Sequence, residues 1–129
     1  MNLLEDRTLV RHTKVAVVMI ASICCMLVYR FTTRTEAERE RVRARTTLET
    51  IHHLQLSYFD EHGTYLASDR GNTSDVLRWD DTPGVFKYSV SDNGDTYVAF
   101  AEADLNGDGF SEVWRIDSAH PEPVLVQSD

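Results

Sequence analysis

From Val15 to Tyr29 the chain reads VAVVMIASICCMLVY, an uncharged apolar run closed by Lys14 and Arg30. Fifteen residues at about 1.5 Å each fall short of a hydrocarbon core of about 30 Å. The flanking cations can snorkel, Phe31 adds apolar length, and no small-x-small cleavage site follows. The run therefore predicts a retained transmembrane anchor over residues 15–31, against a cleaved signal peptide or a buried core helix. The residues before it, 1–14, form a short basic segment.

The rhythm then changes. TEAERERVRARTTLETIHHLQLSYF, residues 35–59, contains neither Gly nor Pro and predicts one continuous helix. Its first half is charged, with Glu36–Arg39, Glu38–Arg41 and Glu40–Arg43 at i,i+3 spacing, as on a solvated stem. In its second half Ala44, Leu48, Ile51 and Tyr58 recur at helical spacing with Leu54 and Phe59 beside them, so this half has a face to bury. Gly63 is placed to end the helix, and residues 32–67 make up the stem region.

After the polar stretch SDRGNTSD at 68–75, the period becomes two. Phe86, Tyr88 and Val90 alternate with Lys87 and Ser89, an Asn-Gly turn signal follows, and TYVAFAEA at 96–103 completes a hairpin. DLNGDG at 104–109 turns the chain into FSEVWRID at 110–117, where Trp114 and Ile116 share a face. Pro121 and Pro123 bracket the start of a short strand, Val124 to Gln127, suited to a sheet edge. The sum is an α+β arrangement: a long N-terminal helix packed on a three- or four-stranded antiparallel sheet that occupies residues 68–129.

Charge sharpens this division. Residues 1–45 carry nine Lys or Arg against five Asp or Glu, while residues 46–129 carry four against sixteen. A basic stretch beside an apolar run suits anionic lipid, and an acidic domain is repelled by nucleic acid, which excludes DNA or RNA as partners. The membrane is the partner this pattern points to. Orientation is less simple, because Arg30, Arg34, Arg39, Arg41, Arg43 and Arg45 follow the anchor and their count alone places the C-terminal side in the cytoplasm.

Candidate chemistry is sparse. Cys24 and Cys25 lie inside the apolar run and act there as small hydrophobes, and Ile23 does not fit a lipoprotein site. His52, His53 and His62 lack further ligands at zinc spacing, adjacent histidines point to different helix faces, and His62 falls in a turn, so they read as solvated or half-buried. Asp60-Glu61 and Asp80-Asp81 read as solvated acids, and Trp79 and Trp114 as packing residues. No nucleophile triad or phosphate loop is present, which argues against an enzyme and a small-molecule substrate.

The segment Asp104-Leu-Asn106-Gly-Asp108-Gly109-Phe110-Ser-Glu112 carries the most suggestive pattern. Carboxylate or amide oxygens at Asp104, Asn106, Asp108 and Glu112, with the main-chain carbonyl of Phe110, suit a hard cation such as calcium. The first half matches an EF-hand loop, but the twelfth position is Arg115 and a strand pattern follows. The alternative is a hairpin turn whose Asp and Asn side chains bond the local backbone without an ion.

Three features in order, the apolar helix continuing into a charged and then amphipathic stem, LETIHHLQLSYFDEHGTY at 48–65, and FKYSV followed by TYVAFAEADLNGDGFSEVWRID, resemble the type IV pilin and type II secretion pseudopilin family. The resemblance implies a non-enzymatic structural subunit that associates with copies of itself or other pilin-like subunits. It also implies a bacterial inner-membrane anchor with the C-terminal domain periplasmic or extracellular. The chain departs from the family pattern in having no glycine before Val15 and no acidic residue from Arg7 to Thr35, where a leader glycine and a fifth-position glutamate are usual. A membrane-anchored calcium-binding module that does not assemble is the second reading.

Overall fold

A computed structural model describes the backbone of residues 3–80 and 84–129 and the side chains of residues 12, 14–32, 34–80 and 84–129. The side chains of Arg7 and Arg11, and Asp81 of the Asp80-Asp81 pair, lie outside the described residues. The chain forms two compact units, Met1–Glu36 and Ala37–Asp129. A single helix, α1 (Leu3–His62), contributes to both.

In the first unit the large apolar side chains from Val15 to Phe31 are each more than half exposed. Exposure of that extent suits an apolar solvent rather than water. Helix α1 is long and apolar enough to cross a membrane. The hydroxyls of Thr32 and Thr35 donate back to the carbonyls of Val28 and Phe31, both at 2.8 Å, so neither depends on water.

The second unit packs the rest of α1 on a four-stranded antiparallel sheet, β1 (Lys87–Asp92), β2 (Tyr97–Ala103), β3 (Glu112–Asp117) and β4 (Val124–Gln127), in that spatial order. The register aligns Val90, Ala99 and Ile116 in one row and Tyr88, Ala101 and Trp114 in the next. On this face β2 offers only Ala99, Ala101 and Ala103 beyond Tyr97, and all four are buried. Small side chains there leave room for Ala44, Leu48 and Ile51 of α1, which belong to the same core. Burying Leu48 and Ile51 fully contributes roughly 1.5–3 kcal/mol each.

Gly63 ends α1 at φ +70°, donating its N–H to Phe59 O at 2.7 Å. Residues 63–67 of the stem region are therefore not helical. His62 is the last helical residue, not part of a turn as the sequence suggested. The return is pinned by Gln55, whose amide donates to Leu66 O at 2.7 Å and accepts from Leu66 N at 2.9 Å. Both polar ends of this fully buried side chain are thereby satisfied.

The polar stretch at 68–75 leads into an element that the sequence pattern did not announce, the short helix α2 (Thr73–Leu77). Asn72 makes no side-chain cap there, so local capping does not explain it. Tertiary bonds do. The buried Thr73 hydroxyl donates to Tyr88 O at 2.8 Å and accepts from Ser68, while Ser68 pairs with Val90 in both directions across the outer edge of β1.

His52 corrects the expectation of solvated or half-buried histidines. It is only 7% exposed and its Nδ1 bonds the hydroxyl of the fully buried Tyr97, whereas His53 and His62 are exposed. Burial, followed by the neighbouring charge of His53, lowers the His52 pKa below its ordinary value, against a smaller upward pull from Asp117. A histidine lowered on folding binds fewer protons folded than unfolded. Its contribution is complete above the unfolded value near 6.5 and is lost as pH falls toward the folded value. Denaturant unfolding of the full chain in detergent is thus expected to show stability declining below about pH 6.5, with His52→Gln flattening that decline.

Candidate cation site at the β2–β3 turn

The turn from Asp104 to Phe110 is built by its own side chains. Asp104 accepts from the N–H of Gly107 at 2.6 Å and of Gly109 at 2.9 Å, one bond on each oxygen. Asn106 accepts from Asp108 N at 2.8 Å, and Asp108 accepts from Phe110 N at 2.8 Å. Gly107 and Gly109 take φ of +79° and +89°, which a side chain would resist. These bonds lower the Asp104 pKa, the Gly109 N–H first among them, against a smaller opposing effect of desolvation. Phe110 is 68% exposed at the end of the turn.

A residue outside the sequence motif completes the cluster. One oxygen from each of Asp104, Asp108 and Asp129 lies within 4.8 Å of the others. Asp129 reaches the turn because β4 runs antiparallel to β3, with Val113 opposite Gln127. Its Oδ2 accepts from Leu105 N at 2.8 Å and Asn106 N at 3.1 Å. Its Oδ1 is buried and, among the described residues, makes no hydrogen bond. An orphan carboxylate oxygen beside two more carboxylates is electrostatically costly without a cation. The arrangement can offer a hard cation oxygen donors and no nitrogen or sulfur from a side chain.

Glu112 lies elsewhere. It is 1% exposed, and its two oxygens accept from Arg41 Nε at 3.1 and 2.9 Å while Oε1 also accepts from Trp114 Nε1 at 2.7 Å. These bonds to Glu112 are the first cause of the raised Arg41 pKa. The i,i+3 partner Glu38 also holds Arg41, at 3.5 Å, and the guanidinium of Arg45 sits 5.7 Å above the Trp114 ring. Arg41 is therefore a junction between helix and sheet as well as a member of the charged stem.

The structure brings together Asp104, Asn106, Asp108 and Phe110 in the turn, adds Asp129, and gives Glu112 to the helix–sheet junction. In sequence Asp129 stood apart from the motif. The available signal was topological: an antiparallel β4 returning along β3 must carry the residues after Gln127 back toward the start of β3. Trp79 and Trp114 both pack against the core. No protein-family model, curated protein or solved structure matches the chain.

Proposed function

We propose that this chain is a non-enzymatic, membrane-anchored, pilin-like subunit of a type IV pilus or type II secretion type assembly. In this reading it sits in a bacterial inner membrane with its head on the periplasmic or extracellular side. The observation that carries the proposal is the division of labour along α1, with exposed apolar side chains over residues 15–31 and core side chains from Ala44 onward in the same helix. A helix of that kind serves lipid or the apolar core of a filament with one part and a folded head with the other. The polar groups buried in the head support a structural role, since Gln55, Thr73 and Glu112 all hold elements together. Chemical cross-linking of the full-length protein in native membranes, together with isolation of sheared surface filaments, tests it. A ladder of multiples, or co-isolation with pilin-like subunits, is expected. A chain that stays monomeric at every expression level and enters neither filaments nor secretion complexes would sink it.

A second reading is favoured by the orphan oxygen of Asp129: the head binds calcium at Asp104, Asp108 and Asp129, with Asn106 and the Phe110 carbonyl as further donors. With an affinity of about 0.1–1 mM, 1 mM calcium contributes roughly 0.4–1.4 kcal/mol, or about 2–8 °C in Tm. Thermal unfolding of the full chain in detergent is expected to show that rise, and Asp129→Asn and Asp108→Asn to remove it while magnesium gives less. An unchanged Tm at millimolar calcium would dismiss the site and leave assembly untouched.

A further inference from the structure

Six described residues have φ in the left-handed region, and five of them are glycines. The sixth is Arg78, at φ +56° and ψ +54°, capping the C-terminus of α2. Glycine takes this position without steric cost, and arginine does not. Its charge is equally out of keeping. Residues 46–129 carry a large acidic excess. Arg70 and Arg115 are tied to Glu102 and Asp117 at 3.5 and 2.9 Å, whereas the Arg78 backbone N–H caps α2 on Ser74 O and its guanidinium makes no hydrogen bond or ion pair among the described residues.

Arg78 lines a groove of about 490 Å³ with Tyr58, His62, Leu66, Val76 and Leu77. Tyr58 and His62, stacked on each other at 4.0 Å and 10°, give the groove an aromatic wall, and the three aliphatic residues supply an apolar lining. Asp60, Glu61, Asp75 and Asp80 are close in sequence and exposed, but none lines the groove. A groove of this size accepts a small molecule, and its chemistry is an aromatic and aliphatic lining beside a planar, permanently charged fork.

We propose that this groove binds a small carboxylate carried on a flat apolar ring, with the ring against the Tyr58–His62 wall and the carboxylate on the Arg78 guanidinium. Both peculiarities of Arg78 then have one explanation. The reversed φ is retained because glycine would remove the guanidinium fork from the groove, and the guanidinium is left without a partner among the described residues because its partner is the ligand. This site is separate from the acidic turn and does not depend on assembly.

The test uses the full chain in lipid nanodiscs and 4-fluorobenzoate as the probe, observed by fluorine NMR with empty nanodiscs as the blank. Saturable binding with Kd of about 1 mM is expected for so small a ligand, and uncharged 4-fluorobenzamide should bind at least about tenfold more weakly. Arg78→Gly relieves the reversed φ, so its Tm should equal or exceed that of the parent while benzoate binding falls by about tenfold or more. Lys87→Gln, which removes a cation outside the groove, should leave binding unchanged. The proposal is overturned if benzoate does not saturate, if the amide binds equally well, if Arg78→Gly binds like the parent, or if Lys87→Gln loses as much as Arg78→Gly.

Discussion

A carboxylate sealed inside the head, Glu112, must be neutralised, and Arg41 of α1 is the group that does it. The pair joins residues 71 positions apart and places the first residue of β3 against one turn of the helix. A buried ion pair adds little net stability over an apolar pair, but removing one partner strands the other, so it acts mainly to fix which arrangement is allowed. Trp114 extends the junction by donating to Glu112 and lying beneath Arg45. The register of helix on sheet follows: Arg41, Ala44, Leu48, Ile51, His52 and Gln55 all meet the head, and the alanines of β2 make space for the approach.

That junction also shapes the turn before β3. Glu112 is committed to Arg41, so the carboxylate that joins Asp104 and Asp108 comes from Asp129 beyond β4. Closing the turn with a distant residue ties β4 to the loop through Leu105 and Asn106. The β1 edge of the sheet is covered by Ser68 and Thr73, whereas β4 at the other edge is exposed along its length.

Local rules made much of this architecture legible. The absence of Gly and Pro from 35–59, followed by Gly63, marked the helix and its end, and period-two alternation marked the strands. The Asn93-Gly94 signal marked the hairpin, where Gly94 takes φ +89° and donates to Asp92 at 2.8 Å. What stayed hidden rests on long-range partners. Helix α2 is held by Thr73 reaching Tyr88, and His52 is buried because Tyr97 offers it a hydroxyl 45 residues away. Glu112 read as a loop ligand because its spacing fits, and only the fold brings Arg41 to it. The turn itself satisfies local backbone bonds whether or not a cation is present, which is why its pattern alone could not decide between the two readings.

A double-mutant cycle on Arg41 and Glu112, followed by chemical unfolding of the full chain in detergent, tests the junction most directly. Arg41→Met alone should cost about 3 kcal/mol by stranding a buried carboxylate, and adding Glu112→Leu should recover most of that, giving a coupling of about 2 kcal/mol or more. Costs that simply add to within about 0.5 kcal/mol would show that the pair does not set the helix on the sheet.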